Sequence, residues 1–228
     1  MNANDPNVLL VEAVAIALDE ILNRVVFIGG STVGLMVTDT ARPPVRATQD
    51  VGLLVEIASK AEYYELAGLL RKAGLKEDPE IVCRWRLGAL KVDVMPTDEE
   101  ILGFSNRWYP EAIRDAQTIA LPSKREIRLI SPPLLLATKI EAFYGRGGGD
   151  FGASHDIEDI VNLIDGRPEL SDEVAAASPE IRAYLMEEFD DLLASTFIDV
   201  IPWHLGPLPE EQARTEVVIQ RMRTIAGL

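Results

Sequence analysis

The hydrophobic period of this chain changes at Ser131-Pro132-Pro133, and that change divides what it can fold into. Before it, apolar residues come in short runs closed by turn formers. These are Val25-Val26-Phe27-Ile28 ahead of Gly29-Gly30, residues 51–57, the pair 81–87 and 89–95 about Gly88, and 118–121 with 127–130. Runs of this length between glycines and prolines read as strands. Helical spacing intervenes at 7–23, at 33–37 after the glycines, and at 59–73, which Gly74 closes. After Pro133 only helical periods recur, at 134–144, 155–164, 179–194 and 210–225. Residues 39–45, with Pro43-Pro44, read as a loop, and 145–152, with five glycines, as a mobile connector. The expected class is α+β. A mixed sheet flanked by helices occupies 1–130, and a mostly helical part over 131–228 completes its cleft.

Charge divides the chain in the same place. Its 228 residues carry a net charge of −15. Residues 1–125 hold 14 basic and 18 acidic side chains, whereas 126–228 hold 8 and 19. An acidic chain is not a general nucleic-acid coat, because phosphate binding needs an excess of Lys and Arg. A local basic site is compatible with it. The single cysteine, Cys83, excludes an intrachain disulfide and a cysteine-based zinc centre, and fits residence in the cytoplasm. No apolar run approaches the ~18 residues of a membrane span, so no membrane partner is expected.

The chemistry concentrates around Gly29-Gly30-Ser31, Asp50 and Asp93. Strand alternation puts Asp50, Gly52 and Leu54 on one face, and Lys91, Asp93 and Met95 on one face of the later strand. If these strands are neighbours, Asp50 and Asp93 project from the same side of the sheet. Two carboxylates beside a small, polar turn suit a divalent-metal phosphoryl-transfer site. The carboxylates hold Mg²⁺, and turn N–H groups reach a triphosphate. Asp93 between Val92 and Val94 needs a partner or a function, and Lys91 is a candidate partner. Arg84 and Arg86 alternate with Cys83, Trp85 and Leu87, giving either a solvated strand face or a basic strip, with Trp85 and Cys83 in the core. Lys139 and Arg146 are two helical turns apart and share a helix face.

Three separated segments carry a resemblance. The Gly-Gly-Ser turn, the strand behind Asp50 and the later lone Asp93 resemble the nucleotidyltransferase fold of the DNA polymerase β superfamily. Pro44-Val-Arg-Ala-Thr-Gln-Asp50 resembles the lead-in of the AbiEii/MenT-like toxin nucleotidyltransferases. So do Lys139-Ile-Glu-Ala-Phe-Tyr-Gly-Arg146 and His155-Asp156-Ile-Glu-Asp159-Ile. The resemblance spans about 25–165 and implies transfer of an NMP from an NTP such as ATP or CTP to a hydroxyl, with Mg²⁺ or Mn²⁺ as cofactor. It implies Gly30 and Ser31 at the β/γ-phosphates, Asp50 and Asp93 as metal ligands, Lys139 at phosphate or nucleotide, and Asp156 orienting Lys139 or the acceptor. Arg46 and Arg146 become phosphate clamps. A tRNA 3′ end is the implied acceptor, and a toxin with a cognate antitoxin the implied role. One position departs from the pattern: Gly52 stands where the family has a second carboxylate. A small-molecule acceptor, or an inactive relative that binds nucleotide or protein without turnover, are the alternatives this leaves.

Overall fold

The computed structural model describes residues 5–42, 45–103, 105–146 and 149–228. Pro43 and Pro44 of the expected loop, and Gly147 and Gly148 of the glycine-rich segment, lie outside these. The strands are β1 (Val25–Ile28), β2 (Asp50–Val55), β3 (Lys76–Glu77), β4 (Arg84–Leu87), β5 (Leu90–Pro96), β6 (Gln117–Ala120) and β7 (Glu126–Leu129). The helices of the first part are α1 (Pro6–Ala17), α2 (Val33–Met36), α3 (Lys60–Lys72), α4 (Glu99–Leu102) and α5 (Tyr109–Arg114). Those of the second are α6 (Pro132–Gly145), α7 (His155–Gly166), α8 (Leu170–Ala176), α9 (Pro179–Leu193), α10 (Phe197–Leu205), α11 (Pro209–Gln212) and α12 (Thr215–Ala226). The chain is α+β, a mixed sheet flanked by helices and followed by a helical part, consistent with a nucleotidyltransferase-like fold.

Two compact units emerge. Among the described residues, one comprises 5–35 together with 46–131, and the other comprises 36–42 and 45 together with 132–228. The first holds the sheet, ordered β3-β4-β5-β2-β1-β7-β6. β1 pairs antiparallel with β2 and parallel with β7, and β2 pairs parallel with β5. β1 is buried throughout, as its unbroken apolar run requires of a central strand. In β5, Val92, Val94 and Pro96 are buried while Lys91, Asp93 and Met95 are partly exposed. Phe27, Leu53, Leu54 and Trp85 lie among the fully buried side chains. α3 buries Leu66, Ala67 and Leu70, and its first turn is closed by Ser59, whose Oγ accepts from Glu62 N at 3.3 Å.

In the second unit α6 buries Leu134, Leu135, Leu136, Ile140 and Phe143 and packs on α7 and α9, while α12 packs on α9, α7 and α8. A charged cluster pins residues 37–42 onto the end of α7. Asp165, 1% exposed, accepts from Arg42 Nε at 2.7 Å and Arg214 Nε at 2.6 Å. The Thr38 and Asp39 N–H groups donate to Gly166 O. A Cβ at Gly166 would stand 2.7 Å from Val37 Cγ2 and 2.9 Å from Arg42 Cδ, so a side chain there would have to displace one of them.

Several elements differ from the expectation. The first helix ends at Ala17, and Asp19–Arg24 form a 3₁₀ turn. The expected strand 81–87 begins only at Arg84, because Asp78 Oδ1 accepts the Glu80 and Ile81 N–H groups and curls that stretch into a turn. The 210–225 period divides into α11 and α12. The described end of the glycine-rich segment is anchored, not loose. Phe151 stacks on Phe143 with ring centroids 5.1 Å apart and meets Phe197 edge-on, and its carbonyl lies 2.8 Å from His204 Nε2.

Candidate functional site

The site in the sheet unit follows from strand register. β2 and β5 align Asp50 with Lys91 and Gly52 with Asp93. Residues opposite one another in a ladder share a face, and so do residues two apart. Asp50, Gly52, Lys91 and Asp93 therefore project from one side of the sheet. β1 runs beside β2 with Ile28 opposite Gly52. The chain leaving β1 as Gly29-Gly30-Ser31 consequently turns at the same end of β2 that begins with Asp50, and the 3₁₀ turn Gly30–Thr32 packs on β2.

Glycine is required in that turn. Gly29 has φ +83°, in the left-handed region. Its carbonyl accepts both the Thr32 N–H at 3.1 Å and the Thr32 hydroxyl at 2.7 Å. Ser31, 1% exposed, is left with a hydroxyl that has no hydrogen-bond partner among the described residues. A buried, unsatisfied hydroxyl is uncommon and costs free energy.

The lead-in to β2 is held by a residue that sequence reasoning missed. Asn7, fully buried in α1, donates from Nδ2 to Arg46 O at 2.9 Å. Its Oδ1 accepts the Thr48 N–H at 2.8 Å and the Thr48 hydroxyl at 3.2 Å. The same hydroxyl is 3.1 Å from Asp50 O. One carboxamide thus sets where Asp50 enters the sheet. Asp50 is exposed and Arg46 half-buried. No local pattern marks Asn7, because its partners lie about forty residues away.

Asp93 has a partner, and it is Arg84, not Lys91. The β4–β5 hairpin pairs Arg84 with Asp93. Arg84 Nε donates to Asp93 Oδ1 at 2.7 Å and Nη2 to Oδ2 at 2.8 Å, a two-toothed contact that occupies both oxygens. These hydrogen bonds hold the guanidinium above its ordinary pKa against the opposing effect of burial, and the charges of Asp93 and Asp50 act in the same direction. Asp50, Asp93 and Arg84 thus form one electrostatic group. Folding the sequence about Gly88-Ala89 would have exposed this pairing, since Arg84 and Asp93 are equidistant from the turn. Arg86, one pleat along, is committed to Asp78. Trp85 lies in the core as expected, whereas Cys83 is only half-buried.

Gly52 has a steric explanation. A Cβ there would sit 2.9 Å from Ile28 O and 3.2 Å from Ile28 Cγ1. The backbones of β1 and β2 leave no space for a side chain unless one of them shifts. Among the described residues no group of three or more His, Cys, Asp or Glu could hold a metal.

The remaining expected site residues belong to the helical unit and form an ion cluster there. Lys139 on α6 contacts Asp156 Oδ1 at 3.0 Å and Asp159 Oδ2 at 2.6 Å, both on α7. Burial pulls the ammonium pKa down, but the charges of Asp159 and Asp156 outweigh it, and the net shift is upward. The exposed Arg146 pairs with Asp156 as well. The Lys139 ammonium is thus held between Asp156 and Asp159, the latter a partner the sequence reading did not name.

No family model matches the chain, and no curated protein matches it. Among solved structures it is similar to the crystal structure of JHP933 from Helicobacter pylori, at 13% identity and a TM-score of 0.43, over 96% of this chain and 92% of that one.

Proposed function

We propose that this chain is a nucleotidyltransferase that moves an NMP from an NTP to a hydroxyl acceptor. The observation that carries the reading is the placement of Asp50 and Asp93 on one face of adjacent parallel strands, at the end of β2 where the Gly29-Gly30-Ser31 turn leaves β1. The donor set fits one Mg²⁺ or Mn²⁺, which is commonly held by one or two carboxylates with substrate phosphates and water completing the shell. It does not fit a pair of metals bridged by three carboxylates, since the position of the third is closed by Ile28 O. Asp50 and Asp93 would hold the cation, which when bound neutralises charge on the phosphates.

The chain's own groups do the rest. Backbone N–H groups at Gly30 and Ser31 bind the β/γ-phosphates, and the Ser31 hydroxyl gains the partner it lacks. An Asp93 carboxylate oxygen takes the proton of the acceptor hydroxyl. The acceptor oxygen bonds to the α-phosphorus, and the bond from that phosphorus to the bridging oxygen breaks. Pyrophosphate leaves with the electron pair.

The tRNA 3′ end as acceptor, a toxin role with a cognate antitoxin and residence in the cytoplasm rest on the resemblance and composition. So do the phosphate-clamp roles of Arg46 and Arg146 and a nucleotide contact by Lys139. No helix among the described residues is long and apolar enough to cross a membrane. A second reading is favoured by the Arg84–Asp93 pair and the closed Gly52 position: a relative that binds nucleotide or a protein without turnover. Label transfer from each α-³²P-NTP to tRNA and to small hydroxyl acceptors separates them. Transfer that is lost in Asp50→Ala and Asp93→Ala supports the enzyme. No transfer with any acceptor, alongside retained NTP binding, supports the second reading.

A further inference from the structure

The residue that stands between Asp93 and a cation is Arg84. Both Asp93 oxygens bond to the one guanidinium, and the two side chains are only 19% and 17% exposed. A divalent cation at Asp93 needs at least one of those oxygens. Taking it costs a largely shielded guanidinium one of its two hydrogen bonds to Asp93 and sets a second positive charge on the same carboxylate, and a shielded charge that loses partners is costly. A cation arriving alone must meet that cost. A cation arriving with a triphosphate need not, because phosphate presents the paired oxygens that a guanidinium binds in the same fork geometry as a carboxylate.

Position supports the exchange. Arg84 lies directly opposite Asp93 in the hairpin and therefore on the face that carries Asp50. Arg86, two residues away, offers no equivalent, since its guanidinium bonds to Asp78. Gly52 sharpens the point. Without a third carboxylate the face lacks the negative charge to gather a second cation, and Arg84, bonded to Asp93, already brings positive charge to it alongside Lys91.

We propose that Arg84 is passed from Asp93 to the triphosphate when nucleotide binds, so that nucleotide and divalent cation bind cooperatively through this one side chain. The proposal rests on the nucleotidyl-transfer reading and adds a phosphate-binding residue and a binding order to it. Linkage makes the coupling reciprocal: the factor by which NTP tightens the cation is the factor by which the cation tightens NTP.

The test titrates Mn²⁺ alone, followed by the paramagnetic resonance of the free ion. It then titrates each NTP with and without Mn²⁺, using the full chain, Arg84→Ala, Arg84→Gln and, for comparison, Arg86→Ala. The wild type binds Mn²⁺ alone weakly and at least tenfold tighter with NTP present. Arg84→Ala and Arg84→Gln bind Mn²⁺ alone about tenfold tighter than wild type and Mn²⁺–NTP about tenfold more weakly, the size of one lost charge-assisted hydrogen bond. Their coupling disappears, and Arg86→Ala retains it. Opposite signs for the two ligands are the signature that a merely structural ion pair does not give. Affinities that stay unchanged, or that fall together, overturn the proposal, as does failure of both Arg84 variants to fold. Wild type that binds no NTP removes the nucleotide reading itself, and the exchange with it. NTP binding without an Arg84 effect removes the exchange alone.

Discussion

Filling the Gly52 position tests whether steric exclusion explains it. Two substitutions separate shape from charge. Gly52→Ala adds only the Cβ, which would stand 2.9 Å from the backbone oxygen of Ile28. Overpacking against atoms that cannot rotate away costs roughly 1–3 kcal/mol. Replacing a strand glycine by alanine returns about 0.5–1 kcal/mol through the unfolded chain. The balance is a net loss of roughly 1 kcal/mol, or about 2–4 °C in Tm for a chain of this length. Gly52→Asp adds a carboxylate directly opposite Asp93. Opposed like charges on neighbouring strands cost up to about 1 kcal/mol more, so the metal-free variant melts lower still. With Mn²⁺ present the order changes, because the new carboxylate is a third oxygen ligand and the cation relieves the repulsion. Thermal melts in EDTA and in Mn²⁺ read all of this. Gly52→Ala that melts at or above wild type refutes the close-approach argument. Gly52→Asp that gains nothing from Mn²⁺ refutes the placement of position 52 beside the proposed ligands.

Other perturbations follow from the same geometry. Asn7→Ala removes three anchoring contacts to Arg46 and Thr48; a loss of about 2–3 kcal/mol in urea unfolding is expected, and wild-type stability would contradict the anchor. Lys139→Met leaves Asp159 without the ammonium it pairs with and Asp156 with Arg146 alone, costing about 3 kcal/mol. Because the folded pKa of Lys139 is raised, its contribution is complete below the ordinary value of 10.5 and fades as pH rises through the folded value. The mutant and wild type should therefore converge in stability above that pH, and a constant gap would contradict the pairing. Burial, followed by the nearby Glu188 carboxylate, pushes the Tyr144 phenol up to about 12. Ultraviolet titration of Tyr144→Phe should lack one late-ionising phenol, and loss of an ordinary one near pH 10 would contradict that environment.

What was legible in the sequence was local. The alternation at 89–95 places Asp93 on the open face, because Val92 and Val94 are apolar enough to claim the other. The unbroken run 25–28 marks a central strand ending at glycines, and the period change at 131–133 marks the passage to helices. What escaped was set by partners distant in sequence. Asn7 is one polar residue in an apolar helix, and nothing near it announces a bond to Arg46 or Thr48. Gly52 reads as a missing carboxylate until Ile28 is laid beside it. Lys91, adjacent to Asp93 on the strand face, was the obvious counterion, yet hairpin register hands that role to Arg84. Residues 36–42 sit early in the chain but join the helical unit through the Arg42–Asp165 pair and the close approach of Val37 and Arg42 to Gly166.

In the proposed reading Asp50 and Asp93 together hold a cation-bound nucleoside triphosphate. Calorimetric titration of the four NTPs in Mg²⁺, against wild type, Asp50→Asn and Asp93→Asn, puts that reading to the test. At least one NTP should bind the wild type, and each substitution should weaken it tenfold or more, since each removes a charged ligand. Binding of no NTP, or undiminished binding in both variants, would mean that these two carboxylates do not hold the nucleotide.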